Sequence, residues 1–92
     1  MHKHTATIRV YGAVQGVGFR FTVRSLATMH GIGGWVANLP DGSVQIEATG
    51  TKHQLDALIA AIRTSRLGPG IDRWEESRLP APSAVVRYFE IR

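Results

Sequence analysis

The 92-residue sequence contains no cysteine. This absence excludes disulfide bonds, thiolate nucleophiles and metal sites built from thiolate ligands. Long apolar runs are also missing, so no segment is long enough to span a bilayer. The first four residues lead directly into a strand-like pattern rather than into an apolar signal region. From these observations we expect a soluble, cytoplasmic protein that does not associate with membranes.

Acidic residues are scarce, since 7 Asp and Glu stand against 11 Lys and Arg and give a net charge of +4. A positive balance favours anionic partners, but charge alone does not distinguish a small phosphate from a polynucleotide or from an ordinary solvated surface. The length is too short for two separate hydrophobic cores. We therefore expect residues 1–92 to form one domain.

Apolar residues recur with strand and helix periods along the whole chain. In the first strand Ala6, Ile8 and Val10 alternate with polar residues, and from Phe19 the spacing becomes helical until Gly31. A second helix begins after a capping box in which Thr51 is the N-cap and Gln54 lies three residues on. The predicted strands are Thr5–Tyr11, Trp35–Leu39, Ser43–Thr49, Ile71–Leu79 and Val85–Ile91.

This order of elements predicts an α+β fold of the ferredoxin-like βαββαβ type. In that arrangement an antiparallel sheet carries both helices on one face, and the first two strands are parallel with one strand between them. The short last strand is an addition to the pattern. It should pair at an edge of the sheet, and the sequence does not identify which edge.

The segment between the first strand and the first helix has the composition of an anion-binding loop. Gly16 and Gly18 allow the backbone to curl, so that successive N–H groups and the helix N-terminus point towards one ligand. Arg20 and Arg24 occupy the helix start without any acidic neighbour, which costs about 0.3–1 kcal/mol unless an anion binds there. The alternative is that Arg20 extends into water. The P-loop and dinucleotide-binding patterns do not fit these residues.

Four segments of the chain resemble the acylphosphatase family, namely VQGVGFR at 14–20, GWVAN at 34–38, PDG at 40–42 and the terminal FEIR. The resemblance covers nearly the whole chain and implies hydrolysis of acyl phosphates. It implies that Arg20 binds the phosphate and that Asn38 orients the attacking water. The sequence departs from the usual pattern of the family at Ala37, where many relatives have Arg or Lys. The phosphate cradle that it implies is the backbone of Gln15, Gly16, Val17, Gly18 and Phe19.

The chemistry of an acyl phosphate fits so small a set of residues. Its leaving group is a carboxylate of low pKa, which departs without a general acid. We therefore expect an enzyme that needs no cofactor or metal and binds a small acyl phosphate, with inorganic phosphate or sulfate as competing ligands. We also expect the enzyme to be a monomer. For Asn38 there is a simpler interpretation, in which it only precedes a turn.

Two alternative functions use the same fold. A binding module for RNA would use the basic charge and the exposed-face candidates Arg9, Tyr11, Trp35 and Tyr88, but the aromatic RNP1 pattern is missing and we expect no nucleic acid. The second alternative is a domain that binds acyl or carbamoyl phosphate within a larger maturation enzyme. The length of the chain, which leaves room for one domain only, favours an independent enzyme.

Overall fold

The structure is a computed structural model that describes residues 2–81 and 88–92. Each predicted helix and strand is present within a few residues of its expected place, and residues 85–87 of the last predicted strand lie outside the described residues. A short 3₁₀ helix, Gly68–Gly70, precedes the fourth strand. The elements are β1 (Lys3–Gly12), α1 (Phe19–Met29), β2 (Gly33–Asn38), β3 (Val44–Thr51), α2 (Lys52–Thr64), β4 (Ile71–Pro80) and β5 (Phe89–Ile91).

The five strands form one sheet in the order β4-β1-β3-β2-β5. β3 lies between β1 and β2, as the βαββαβ pattern predicts, and pairs with both in antiparallel fashion. The prediction of a purely antiparallel sheet is wrong, because β5 pairs with β2 in parallel. The reason is directional: β4 runs opposite to β1, and β5 runs in the same direction as β2. The sheet is therefore mixed.

The alternation in β1 and β3 determines which face of the sheet is covered. Ala6, Ile8 and Val10 are completely buried, and so are Val44 and Ile46 in the paired strand. The buried residues of both helices belong to the same core, so α1 and α2 lie together on one face. These helix residues are Phe19, Val23, Ala27, Leu55, Leu58 and Ile62.

The capping box at the start of α2 is confirmed. The Thr51 hydroxyl accepts a hydrogen bond from the main chain of Gln54, and the Gln54 side chain accepts one from the main chain of Thr51. The same amide also donates to the main-chain oxygen of His30, just beyond α1, at 3.2 Å. Gln54 thus fixes the start of one helix to the end of the other. Neither α1 nor α2 has the length and apolarity needed to cross a membrane.

The register of the sheet places the C-terminal ends of β1 and β2 at the same end of the sheet. Val10 near the end of β1 is opposite Val44 in β3, and Val44 is in turn opposite Asn38 at the end of β2. Two strand spacings amount to about 10 Å, which a long side chain and a phosphate together can span. The loop after β1 and the end of β2 therefore meet beside the start of α1.

Candidate active site

The loop between β1 and α1 curls as its glycines suggest. Gly16 and Gly18 have φ angles of +75° and +83°, in the left-handed region that side chains other than glycine rarely adopt. Gly18 is the N-cap of α1, and its oxygen accepts the first helical hydrogen bond from Thr22 at 3.0 Å. Among the described residues, no acceptor takes a hydrogen bond from the N–H of Gly16, Val17 or Gly18. These N–H groups are available to a ligand.

Arg20 is the second residue of α1, and the first turn of this helix contains no acidic side chain. Its guanidinium donates one hydrogen bond, from Nη1 to the main-chain oxygen of Arg92 at 3.1 Å. This contact leaves further N–H donors of the guanidinium for a ligand, because arginine has five of them. The side chain is thus held in place at a helix start where a bound anion would be stabilised.

Asn38 is the last residue of β2, two positions after the fully buried Val36. Its side chain therefore shares the helix-covered side of the sheet with Val36, beyond the end of the core. Ala37, where the sequence departs from the family pattern, is half-buried and points to the opposite face. The presence of alanine instead of arginine or lysine at position 37 therefore does not change the face of the sheet that carries Asn38.

A cavity of about 180 Å³ joins the loop, the helix start and the end of β2. Of the residues predicted from the sequence, the cavity brings together Gly16, Gly18, Phe19, Arg20 and Asn38. The remaining lining residues are Val14, Phe21 and Ile91. Two predicted residues, Gln15 and Val17, do not line it, although both belong to the loop that forms its wall.

Gln15 makes contacts through its side chain that are separate from the cradle predicted for its backbone. Its Nε2 donates to the main-chain oxygens of Leu39 and Ser43 at 2.8 and 2.9 Å. Leu39 directly follows Asn38, so this amide connects the glycine loop to the hairpin that carries the asparagine. The sequence did not reveal this contact, because a hydrogen bond to main-chain oxygens does not depend on the identity of the residues that provide them.

The turn whose main-chain oxygens accept hydrogen bonds from Gln15 is stabilised by the carboxylate of Asp41. Asp41 Oδ1 accepts hydrogen bonds from the hydroxyl of Ser43 and from its main-chain N–H at 2.9 Å. These two bonds, the side-chain one first, lower the pKa of Asp41 below its ordinary value of 3.8. Asp41 is therefore ionised at neutral pH and keeps Ser43 in the position that Gln15 needs.

Four lining or contact residues were not among the predicted site residues, and one of them, Val14, directly precedes the predicted cradle. Phe21 and Ile91 line the cavity, and Arg92 provides the oxygen to which Arg20 donates. A signal for Phe21 was present, since it is an aromatic residue at the helix start that lies outside the buried stripe. Ile91 and Arg92 had no such signal, because the sequence does not show that the last strand pairs with β2.

A second arginine approaches the loop from outside the cavity. A Cβ added at Gly18 would lie 3.7 Å from Nη2 of Arg66, so the Arg66 guanidinium is close to the N-terminus of α1. Together with Arg20 and Arg24 it makes this end of the molecule cationic. Such a local field attracts anionic substrates and increases their rate of encounter.

The exposed-face candidates for RNA binding do not form a stacking platform. The rings of Tyr11 and Trp35 are covered by guanidinium groups, with ring-centroid distances of 4.8 Å to Arg73 and 4.9 Å to Arg92. Arg9 is engaged by Gln45, to which it donates at 3.1 Å. Tyr88 is exposed at the other edge of the sheet. Since bases stack on free aromatic faces, this arrangement does not favour a nucleic-acid surface.

Comparisons with known proteins point to one family. The family model for acylphosphatase matches residues 6–91. An acylphosphatase from Chlorobaculum tepidum is 48% identical over 84 residues, which cover 91% of this chain and 80% of that protein. The crystal structure of acylphosphatase from Bacillus subtilis superimposes with a TM-score of 0.87 at 31% identity, covering 97% of this chain and 98% of the other.

A larger protein contains a similar unit. The crystal structure of full-length HypF in its phosphate- and nucleotide-bound form matches with a TM-score of 0.85 at 26% identity. That match covers 100% of this chain but 12% of HypF, so the likeness concerns one part of the larger protein. The matches to the two acylphosphatases instead cover 80% or more of both proteins that are compared. On the family model, the identities and the fold together, the chain belongs to the acylphosphatase family.

Proposed function

We propose that this chain hydrolyses the carboxyl–phosphate bond of acyl phosphates to a carboxylate and inorganic phosphate, without a metal ion or cofactor. The observation that carries the proposal is the cavity in which the glycine loop, Arg20 and Asn38 meet from separate parts of the chain. A loop with available N–H groups, a cation and a neutral amide are the groups that phosphoryl transfer to water needs.

In this mechanism the phosphoryl group binds to the loop between Gln15 and Phe19 and to Arg20. The N–H groups of Gly16, Val17 and Gly18 donate to its oxygens, and the positive end of the α1 dipole adds to the attraction. Arg20 grips two oxygens with the donors that Arg92 does not use. Because charge shifts among these oxygens as the bond breaks, fixed donors stabilise the transition state.

Asn38 orients the attacking water. Its side-chain oxygen accepts a hydrogen bond from the water and holds the water in line with the phosphorus. The position of Asn38 at the end of β2, in the same cavity as Arg20, supports this role. A neutral amide suits it because a carboxylate would repel the phosphate.

The reaction proceeds without a side chain that donates or accepts a proton. The water oxygen forms a bond to phosphorus, the bond from phosphorus to the acyl oxygen breaks, and the carboxylate leaves with the electron pair. One proton of the water passes to a phosphate oxygen. Among the described residues, Arg20 is the only ionisable side chain that lines the cavity. Because a carboxylate is a good leaving group, the reaction needs no proton donor.

The test is hydrolysis of benzoyl phosphate by the purified protein, followed by the decrease in its ultraviolet absorbance. We expect turnover without added metal and unchanged turnover in excess EDTA. Inorganic phosphate should inhibit competitively. Phenyl phosphate should react very slowly under the same conditions, because its more basic leaving group requires an acid. Loss of activity after metal removal, or equal activity on both substrates, would contradict the proposal.

We further propose that the enzyme works as a monomer in the cytoplasm. Support for the monomer comes from the edge strand β4. This strand contains the charged residues Asp72, Arg73, Glu75 and Glu76, and charged side chains on an edge strand oppose its pairing with a second copy. Light scattering after size-exclusion chromatography measures the mass. A mass near 10.1 kDa is expected, and twice that value would contradict the proposal.

A further inference from the structure

Phe21 has an exposed position that the fold does not require. The buried residues of α1 are Phe19, Val23 and Ala27, whereas 60% of the surface of Phe21 is exposed. Leaving a large aromatic ring in water forgoes the stabilisation that its burial would give. At the same time Phe21 lines the cavity that contains Arg20 and Asn38. The ring is therefore an apolar surface offered to whatever occupies this cavity.

The ring is also held in place. The guanidinium carbon of Arg24 lies 5.3 Å from the ring centroid, which is within the range of a cation–π interaction. Ile91 of β5, which is half-buried, lines the same cavity and provides a second apolar side chain. Both residues come from elements whose main chains are fixed by the fold. A ligand would thus meet a preorganised apolar wall, which reduces the entropy lost on binding.

The cavity consequently has two chemically different parts. The glycine N–H groups, Arg20 and Asn38 form a polar part, and Phe21 and Ile91 form an apolar part. An acyl phosphate has the same division, since a charged phosphoryl group is joined to an acyl group. We propose that Phe21, with Ile91, binds the acyl group and makes the enzyme selective for acyl phosphates whose acyl group is aromatic or otherwise large and apolar. This inference rests on the proposed function and adds the class of substrate.

The experiment compares benzoyl phosphate with acetyl phosphate, which share the phosphoryl group and differ in the acyl group. The quantity measured is the ratio of kcat/KM for the two substrates, in the wild type and in each variant. Phe21→Ala should lower the benzoyl-to-acetyl ratio about 3- to 10-fold, as expected for the loss of one aromatic contact. Phe21→Tyr retains the ring and should keep the ratio within about twofold of the wild type.

Met29→Ala is the matched control, because Met29 is a 75% exposed apolar residue at the other end of the same helix. It should leave the ratio unchanged. Circular dichroism on each variant measures folding, and the ratio is independent of the folded fraction. An unchanged ratio in Phe21→Ala, or an equal decrease for both substrates, would overturn the role of Phe21 while leaving the proposed function intact. A wild type that hydrolyses neither substrate would instead overturn the proposed function.

Discussion

Arg20 and Arg92 are joined by a hydrogen bond, from the guanidinium Nη1 of the first to the main-chain oxygen of the second, although 72 positions separate them. The oxygen is presented by the residue after β5, whose own N–H donates to Val36 in β2 at 2.8 Å. The edge strand thereby positions the side chain proposed to bind phosphate. The oxygen belongs to the main chain, so this positioning does not depend on the arginine side chain of residue 92.

Truncation of the chain after Ile91 should therefore weaken phosphate binding, whereas Arg92→Ala should not. The deletion removes both main-chain contacts, and loss of about 1 kcal/mol of hydrogen bonding corresponds to roughly a fivefold weaker affinity. Arg92→Ala keeps the main-chain oxygen and removes only the side chain that covers Trp35. Isothermal titration with inorganic phosphate measures both. Equal affinities in the two variants would contradict the positioning role.

Arg20→Ala should weaken phosphate binding by about 10- to 100-fold, the range for loss of a charge-assisted hydrogen-bonding group. Arg20→Lys should restore little of the phosphate affinity, because an ammonium group cannot form the bidentate hydrogen bonds that a guanidinium forms. Arg24→Ala removes a cation from the same end of α1 and should change the affinity by less than about threefold. The unfolding temperature of Arg20→Ala should change little, because removing an unfavourable helix-end charge offsets the lost bond to Arg92. Phosphate binding unchanged in Arg20→Ala would exclude the proposed site.

Asn38→Ala should lower kcat by on the order of 10²-fold and leave the affinity for inorganic phosphate nearly intact. The loop and Arg20 still bind the phosphate, while the water loses its acceptor. Asn38→Asp should instead weaken phosphate binding as well, because a negative charge would face the ligand. If Asn38 is only a turn residue, Asn38→Ala will lower the unfolding temperature and keep kcat. Both quantities are to be measured on the same samples.

Gln15→Glu should reduce kcat/KM by roughly tenfold and lower the unfolding temperature by about 5 °C or more at neutral pH. A carboxylate would replace the donor that now contacts two main-chain oxygens, and so would leave them opposite a negative charge. Gln45→Glu is the matched control, because Gln45 accepts a hydrogen bond from Arg9 and a carboxylate still accepts one. Comparable losses in the two variants would show that the added charge, not the lost donor, is responsible.

Asp41→Asn should destabilise the protein at neutral pH and progressively less as the pH falls. The pKa of Asp41 is lowered by its hydrogen bonds to Ser43, so the carboxylate stabilises the folded state above its unfolded value of 3.8. This contribution is lost as the pH falls below 3.8 and through the lowered folded pKa. Thermal unfolding from pH 7 to pH 2 measures the difference from the wild type. Asp72→Asn, which changes the same charge on β4, controls for net charge.

The sequence was most informative where a pattern repeats. The alternation of β1 and β3, the apolar stripe of α2 and the capping box at Thr51 each depend on local spacing, and all were predicted. The pairing of β5 was not predictable, because Phe89–Ile91 is too short to express a periodic pattern and its partner is distant in the chain. The loop glycines were singled out because they allow the backbone to curl, and Arg20 because a cation departs from ordinary helix-start preferences.

The same long-range pairing that places Arg92 beside Arg20 has a consequence for folding kinetics. Joining Gly34 to Phe89 closes a long stretch of chain, and such closures are slow compared with the formation of helices and local hairpins. This pairing, together with the long-range pairing of β1 with β4, raises the contact order of the domain and slows its folding. Because a domain of this size ordinarily folds in one cooperative step, phosphate affinity and helical circular dichroism should recover together during refolding, at a rate well below that of helix formation.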